Sequence, residues 1–293
     1  MWKAELLRQI LHSDPVDCGE DDTLEIHLVS CQRDVYFSLW SLKTFWHYAQ
    51  CQPRLVIHDD GTLNSEQRGL FAAHFRGCRM LTRAEADGAV APLLKNYPHA
   101  WRYRFTQHHP FSLKLLDANL MTTSDLILLL DSDVIFFSRP KEILSGATSS
   151  EGRFMTDIWS PYAIEERELV ATLPDLTRKQ VNCGLALTFP AIFDLAFVDE
   201  TLGTLFRYDD VAANLIEQTC YARLFSRHRD RYRRLSTAYH MPNRCVNDST
   251  EACHYIGDWK ELFISAGGIA RLLKGDFAER CRRSAKVPSS TSN

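Results

Sequence analysis

The apolar run Leu126–Phe137 is the feature that most constrains the fold of this chain. Its first part, Leu126–Leu130, contains only large aliphatic residues, and Asp131 and Asp133 follow immediately. A short unbroken apolar run is typical of a strand that is covered on both faces, as in the parallel sheets of α/β proteins. The run is too short to cross a membrane, so it predicts a central strand ended by two carboxylates.

Alternating apolar segments predict the rest of an α/β fold. Strand-like runs and helix-like periodicities follow one another over the first eighty residues, which favours a mostly parallel, Rossmann-like sheet flanked by crossover helices. Asn64 and Gln67 have the spacing of a capping box and predict a helix start. The predicted segments are a helix within Met1–His12, strand Leu24–Val29, helix Val35–Ala49, strand Leu55–Ile57, strand Cys78–Leu81, helix Ser112–Leu120, strand Val181–Phe189, helix Val211–Phe225 and an interrupted helix Glu261–Leu273.

The acidic pair predicts a metal site. Two carboxylates at positions i and i+2 of an extended chain point to the same side, so Asp131 and Asp133 can converge on one cation. Mg²⁺ and Mn²⁺ prefer such oxygens and keep room for substrate phosphates. In parallel sheets ligands bind at the carboxyl ends of the strands, where Ser30 and Asp60 are also predicted to lie.

Two alternatives to a sugar-nucleotide metal site remain at this point. Apart from an ordinary surface turn that begins at Asp131 and Asp133, the pair could belong to a non-catalytic module that binds a nucleotide sugar without transferring it. A haloacid-dehalogenase-type phosphatase also places Asp-x-Asp after an apolar strand and would use Asp131 as its nucleophile with Mg²⁺. Against this reading, Ile135 stands where Thr or Val is usual in that motif, and about 130 residues precede it.

Three further segments carry groups suited to a phosphosugar ligand. Val181–Leu185 places the amide of Asn182 beside Gly184, and Glu217 and Gln218 stand side by side. The segment His254–Lys260 has the spacing H-x-x-G-x-x-K, with Gly257 in the middle. A glycine lets a loop approach a ligand closely, and an ammonium group binds phosphate.

The order of these motifs resembles the family 8 glycosyltransferases of the GT-A fold, the group of glycogenin and bacterial lipopolysaccharide galactosyltransferases. That family has Asp-x-Asp, Asn-Ser-Gly, Asp-Gln and His-x-x-Gly-x-x-Lys in the same order, and the likeness extends from Leu24 to Lys260. The resemblance implies a GT-A fold and transfer of a hexose, glucose or galactose, from a UDP-sugar to an acceptor hydroxyl. The acceptor would be a glycan, a lipid-linked sugar, a protein or a small molecule.

The resemblance also implies roles for individual residues. Asp131, Asp133 and His254 would hold Mn²⁺ or Mg²⁺, and Gln218, Glu217 and Lys260 would carry catalysis. The donor would be bound by Ser30, Asp60, Lys114, Asp131, Ser132, Asn182, Gly184, Gly257 and Lys260. Within this set Ser30 and Asp60 would contact the nucleoside, Lys260 the diphosphate, and Lys114 the donor phosphates or sugar.

The chain departs from the family pattern at several positions. Glu217 replaces the usual Asp, Cys183 replaces Ser, and Glu261-Leu262 follows Lys260 where Trp-Pro is usual. These changes predict a divergent branch. We expect retention of configuration, because no separate carboxylate has the signature of an inverting general base; if inversion occurs, Glu217 is the candidate base.

Composition indicates a single globular domain. The net charge of −3 generates no field that would attract nucleic acid. Nine cysteines without a C-x-x-C pair, and a charged N-terminal segment unlike a secretory signal, predict a reduced cytoplasmic protein.

We expect one GT-A domain over 1–280: a helix and acidic linker (1–23), a nucleotide-binding half (24–140) and an acceptor-side half (141–280). Residues 281–293 are predicted to be disordered. Any membrane contact, through Arg271, Lys274, Arg280, Arg282 and Arg283, would be peripheral.

Overall fold

The strand predicted over Leu126–Leu130 lies in the middle of a seven-stranded sheet in the computed structural model of the chain. The structure describes residues 2–20, 23–149 and 151–283. The prediction of disorder after residue 283, and the part of the acidic linker at Asp21 and Asp22, lie outside the described residues. The strands are β1 (Val16–Asp17), β2 (Glu25–Ser30), β3 (Arg54–Asp59), β4 (Phe75–Arg76), β5 (Arg79–Leu81), β6 (Ile127–Leu130), β7 (Val134–Phe136), β8 (Gly152–Thr156), β9 (Val181–Thr188), β10 (Tyr232–Arg234), β11 (Tyr239–His240) and β12 (Ala252–His254).

The large sheet is mostly parallel, as predicted, and its strands are ordered β10-β8-β9-β6-β2-β3-β5. Strands β6, β2, β3 and β5 are parallel, and so are β10 and β8, whereas β9 is antiparallel to both of its neighbours. All four residues of β6 are fully buried, because both of its faces are covered. Burying each such aliphatic side chain contributes about 1.5–3 kcal/mol, so the strand is a strong determinant of the core.

A second, three-stranded sheet has the order β11-β12-β7, and it determines where the site forms. Strand β12 is antiparallel to β7, with His254 opposite Val134. Only Asp131, Ser132 and Asp133 separate β6 from β7. These three residues therefore connect the two sheets directly. Strand β12 brings His254 to them from the distant C-terminal part of the chain.

Helices cover both sheets. They are α1 (Trp2–Arg8), α2 (Val35–Ala49), α3 (Ser65–His74), α4 (Arg83–Leu94), α5 (Pro98–Trp101), α6 (Ala118–Met121), α7 (Lys141–Ser149), α8 (Glu166–Thr172), α9 (Leu195–Leu205), α10 (Ile216–Arg227), α11 (Lys260–Ser265), α12 (Gly268–Lys274) and α13 (Ala278–Arg283). The predicted capping box is present: Asn64 accepts from Gln67 N, and the Gln67 side chain accepts from Asn64 N. Helix α2 is buried nearly all round, and Thr44 Oγ1 accepts from Phe136 N of β7 at 3.2 Å.

Several sequence predictions need correction. The acidic segment before Leu24 is not a plain linker, because β1 within it pairs with β4 and Asp17 forms an ion pair with Arg76. The helix predicted from Val211 begins at Ile216, after a single 3₁₀ turn over Ala213–Leu215. Helices α4, α5, α7, α8 and α9 were not predicted. The last described helix, α13, continues to Arg283.

Candidate metal and ligand site

Asp131 and Asp133 lie in a tight turn, not on an extended strand. The turn is closed by a hydrogen bond from Val134 N to Asp131 O at 3.3 Å. It is anchored on the sheet by Asp131 N, which donates to Gly184 O at 2.8 Å. The prediction that the two carboxylates converge is therefore right for a different reason: the chain reverses at the end of β6, and strand alternation has no part in it.

Gly184 is required because the ring of His254 occupies the space beside it. A Cβ on Gly184 would lie 2.2 Å from His254 Cε1, 2.5 Å from Nδ1 and 2.9 Å from Nε2. Carbon atoms in contact are normally about 3.5–4.0 Å apart, so no larger residue fits without displacing the imidazole. The sequence analysis predicted close approach to a ligand at this glycine; the group that approaches it is the histidine.

The tautomer of His254 follows from a chain of hydrogen bonds that runs from Asp157 through Asn182 of β9 to His254. Asn182 Nδ2 donates to the Asp157 carboxylate at 2.9 Å, so the amide must present its Oδ1 to His254. That oxygen lies 3.0 Å from His254 Nδ1, which must therefore carry the proton. The Nε2 lone pair is left facing the two aspartates, as in metal-binding histidines whose other nitrogen is held by an outer group.

The three side chains form a group that fits a divalent cation. His254 Nε2 lies 3.0 Å from Asp133 Oδ1 and 3.8 Å from Asp131 Oδ2, and the three potential ligand atoms all lie within 4.8 Å of one another. The Nε2 atom is buried and has no hydrogen-bonding partner of acceptable geometry among the described residues. A buried polar atom is costly unless something satisfies it, and a cation between these ligands would do so.

The charges of the site oppose the effects of burial. Burial alone would raise the pKa of Asp133, but His254 and Lys260 outweigh it and lower the pKa. Burial alone would lower the pKa of His254, but Asp133, aided by Asp131, raises it. The carboxylates that favour a proton on His254 would equally favour a metal, so the two compete for Nε2.

Lys260 extends the acidic group on one side. Its Nζ lies 2.8 Å from Asp34 Oδ2 and 3.3 Å from Asp133 Oδ2, and it is placed there by the first turn of α11. Burial alone would lower the pKa of Lys260, but the two carboxylates raise it, so the group is a cation. Gly257, three residues earlier, has a φ of 58°, a left-handed conformation that a residue with a Cβ adopts only with strain.

Lys114 and Glu217 form a buried ion pair on the other side. Lys114 Nζ lies 2.7 Å from Asp131 Oδ1 and 3.3 Å from Glu217 Oε1, and both side chains are almost completely buried. Lys114 belongs to a wide π-helical turn over Leu113–Asp117, a distortion that is frequent at functional sites. Burial and the charge of Asp131 raise the pKa of Glu217 to about 7, although Lys114 opposes that rise.

Gln218 joins two segments that lie against the cavity. Its Nε2 donates to Pro161 O at 2.9 Å, and its Oε1 accepts from Cys183 N at 3.4 Å.

Ser30 and Asp60 lie at the ends of β2 and β3. The Ser30 hydroxyl is buried against that of Ser38, at 2.9 Å, and Asp60 Oδ1 accepts from both N and Oγ1 of Thr62.

All of these groups line one cavity of about 1170 Å³. The predicted site residues that line it are Ser30, Asp60, Lys114, Asp131, Ser132, Asp133, Asn182, Gly184, Glu217, Gln218, His254, Gly257 and Lys260. None of the predicted positions lies elsewhere. Several of these residues are more than a hundred positions apart in the chain, and the fold brings them together around one cavity.

Asp34 and Asp157 belong to the site but were not among its predicted residues. Asp34 binds Lys260, and Asp157 holds Asn182. Asp34 precedes α2 at the carboxyl end of β2, so its position at a strand end was a usable signal. Its carboxylate makes no capping bond to the helix. For Asp157, which follows β8, no local motif was available.

The described cysteines are all free, and four of them, Cys183, Cys220, Cys253 and Cys281, are buried.

In the described part of the chain, none of the helices combines the length and apolar character needed to span a bilayer. Arg271, one of the basic residues considered for membrane contact, is ion-paired with Asp248. The side chains of Arg280, Arg282 and Arg283 lie outside the described set.

The arrangement defines an α/β protein with a group of potential cation ligands at the carboxyl end of its central strand, inside a cavity of about 1170 Å³. No protein-family model matches the chain, and no curated protein matches it. Solved structures do share its fold. The galactosyltransferase LgtC, in complex with donor and acceptor sugar analogs, aligns with a TM-score of 0.54 at 14% identity, over 90% of this chain and 98% of that one.

A second similar structure is that of mouse xyloside xylosyltransferase 1 in its apo form. It aligns with a TM-score of 0.53 at 12% identity, over 83% of this chain and 98% of the mouse protein. Both alignments cover most of either chain, so the likeness concerns the whole fold. The chain therefore has the GT-A glycosyltransferase fold, as predicted from the order of its motifs.

Proposed function

We propose that this protein is a metal-dependent glycosyltransferase that transfers a hexose, glucose or galactose, from a UDP-sugar to an acceptor hydroxyl. The observation that carries the proposal is the convergence of Asp131, Asp133 and the Nε2 lone pair of His254 inside the cavity. The similar folds support it, because one belongs to a galactosyltransferase solved with donor and acceptor sugar analogs and the other to a xylosyltransferase.

Asp131, Asp133 and His254 would hold the divalent cation. Two carboxylates and one imidazole suit Mn²⁺ better than Mg²⁺, which favours oxygen ligands throughout. When bound, the cation would neutralise the negative charge of the departing diphosphate. Asn182 and Asp157 would keep the His254 imidazole in the tautomer that can bind it.

Lys260 would bind the diphosphate of the donor. Its ammonium group is already held beside Asp133, in a partly desolvated position where an electrostatic interaction is strong. As the bond between the anomeric carbon and the diphosphate oxygen breaks, its electron pair goes to UDP. The acceptor oxygen forms the new glycosidic bond, and the departing diphosphate takes up the hydroxyl proton. Lys260 would stabilise the charge that develops on UDP.

The remaining predicted residues divide between the two ends of the donor. Ser30 and Asp60, at the ends of β2 and β3, would contact the nucleoside. Lys114, Asn182 and Gln218 would surround the donor sugar. Gly257 would let its loop approach the donor closely, and Gly184, as part of the cavity wall, leaves room for the His254 ring. We propose retention of configuration, because the Glu217 carboxylate, although its pKa is raised to about 7, is only 3% exposed and lies against Lys114 Nζ, where an acceptor hydroxyl has little room to reach it.

Asp133→Asn tests the proposal. In the wild-type protein UDP with Mn²⁺ should raise the stability by about 2.7 kcal/mol at a hundredfold excess over Kd. The variant should lose the Mn²⁺-dependent part of this stabilisation, measured by thermal denaturation with UDP in the presence and absence of Mn²⁺. The matched control is Asp230→Asn, a carboxylate whose side chain is 98% exposed. Unchanged Mn²⁺-dependent stabilisation in Asp133→Asn would overturn the assignment.

The same protein samples separate the two alternatives. A phosphatase that uses Asp131 would hydrolyse an aryl phosphate with Mg²⁺ and would gain no stability from UDP. A binding module would be stabilised by UDP with Mn²⁺, but it would neither hydrolyse nor transfer the sugar of UDP-glucose or UDP-galactose during long incubation. Release of UDP from either sugar nucleotide, dependent on Mn²⁺, supports the transferase.

A further inference from the structure

One end of the cavity carries an exposed aromatic side chain. Trp159 is 67% exposed, the highest value among the large exposed hydrophobic residues of the described chain, and Ile256 is 45% exposed. Both line the cavity. A single indole on an open surface needs no explanation, but one that lines a cavity is placed for binding, because ligand pockets are lined mainly by hydrophobic and aromatic side chains. The metal-binding and donor-binding roles proposed above do not use either residue.

The loop that carries Trp159 is held on both sides by residues of the proposed donor site. Before Trp159, the Asp157 carboxylate accepts from Asn182 Nδ2 at 2.9 Å. After it, Pro161 O accepts from Gln218 Nε2 at 2.9 Å. The indole is therefore presented at a defined place beside Asn182 and Gln218, two of the three side chains assigned to the donor sugar, and its exposure does not come from a loose loop.

This place is remote from the proposed nucleoside end. Trp159 follows β8, whereas Ser30 and Asp60 follow β2 and β3, and the order of the sheet is β8-β9-β6-β2-β3. With a strand spacing of about 4.8 Å, β8 is about 14 Å from β2 and about 19 Å from β3. The proposed cation ligands follow β6, between the two ends. A nucleoside at β2 and β3, with its diphosphate at β6, directs the sugar towards β8.

The lining of the cavity that contains Trp159 suits a saccharide. A pyranose ring has an apolar C–H face that stacks on an indole and a rim of hydroxyls that needs hydrogen-bonding partners. The exposed Asn214 amide and the exposed Asp258 carboxylate line the same cavity and supply such partners. The lysines and arginines that line this cavity are all ion-paired with carboxylates of the same lining: Arg33 with Asp34, Lys114 with Asp131 and Lys260 with Asp133. An anionic acceptor would therefore find no unpaired lysine or arginine among the described lining residues.

We propose that Trp159 is the stacking platform of the acceptor subsite and that the acceptor is a saccharide, with the C–H face of its terminal pyranose on the indole. This inference rests on the proposed glycosyltransferase function. It makes Trp159 a specificity-determining residue for the acceptor, without contact to the metal ligands or to the nucleoside.

The experiment compares wild-type protein with Trp159→Ala, Trp159→Phe and Trp101→Ala. Trp101 is a matched control, because it is 39% exposed and does not line the cavity. The donors are UDP-glucose and UDP-galactose with Mn²⁺, and the acceptor probes are the methyl α- and β-glucosides and galactosides, lactose and maltose. For the best acceptor, Trp159→Ala should raise the acceptor KM at least tenfold with the donor KM unchanged. Trp159→Phe should stay within about threefold of wild type, since a phenyl ring still stacks.

The outcomes separate this inference from the proposed function. Lack of any Mn²⁺-dependent stabilisation of the wild type by UDP overturns the function, and the inference with it. With that stabilisation intact, an unchanged acceptor KM in Trp159→Ala, or a change confined to the donor KM, overturns the acceptor subsite. Failure of every saccharide probe to accept sugar, while the donor is still hydrolysed, overturns the saccharide assignment.

Discussion

Gly184→Ala is the most direct test of how the site is built, because it adds one methyl group beside His254. The new Cβ would lie 2.2 Å from His254 Cε1, whereas a carbon–carbon contact requires about 3.5 Å. The ring or the strand must therefore move by about 1.3 Å. Ligand distances in metal sites tolerate only about 0.2 Å, so the displacement exceeds the tolerance several times over.

The displacement has two separable consequences. The strain of an overpacked core should lower the free energy of unfolding by about 1–3 kcal/mol. Moving a ligand should weaken Mn²⁺ binding by about 100-fold or more, beyond the 10–100-fold that outer-sphere changes produce. The loss of Mn²⁺ affinity should be the more severe effect. The protein can still fold around a shifted imidazole ring, but a cation cannot bind a ligand atom that is out of place.

Two measurements read these effects separately. Chemical denaturation without UDP measures the free energy of unfolding, and thermal denaturation at fixed UDP over a range of Mn²⁺ concentrations measures the metal requirement. The control is Gly88→Ala in α4, where a Cβ would meet nothing within 4 Å. That variant should gain about 0.5–1 kcal/mol from its better helix propensity and keep its Mn²⁺ requirement. A folded Gly184→Ala whose Mn²⁺ midpoint stays within threefold of wild type would refute the reasoning.

Two further predictions concern the support of the site and the stability of the fold. Asn182→Ala removes the oxygen that holds His254 Nδ1, so Mn²⁺ affinity should fall by about 10–100-fold in the same titration; an unchanged midpoint would show that the tautomer is fixed in another way. Burial, aided by the charge of Lys43, lowers the pKa of His74 from 6.5 to about 4, so below pH 6.5 the unfolded chain binds a proton that the folded chain refuses. Stability should therefore fall as the pH falls, by about 2 kcal/mol at pH 5 from His74 alone. Denaturant titrations of His74→Gln at pH 7 and pH 5 should lack this part of the loss, and the exposed control His12→Gln should retain it; equal losses in both variants would contradict the prediction.

Local sequence determined the elements whose signals lie within a few neighbouring residues. The aliphatic run that forms β6 had to be buried on both faces, and the periodicity of Val35–Ala49 gave α2 its bounds. The capping box at Asn64 marked the start of α3, because its two hydrogen bonds span only three residues. Helices α4, α5, α7, α8 and α9 were not predicted, although α4 begins with a capping box at Thr82 and Glu85 and α9 with a cap at Asp194, so local signals for two of these starts were present in the sequence.

The motif residues of the site could be recognised from the sequence, but their geometry could not. That Asp131 and Asp133 form a turn, that Gly184 makes room for an imidazole, and that Asp34 binds Lys260 all depend on segments distant in the chain. The antiparallel pairing of β12 with β7 brings His254 within 3.0 Å of Asp133. Such pairing is decided by the burial of whole sheet faces and by helix α2 packed beneath them, so only the tertiary structure could place the imidazole beside the carboxylates.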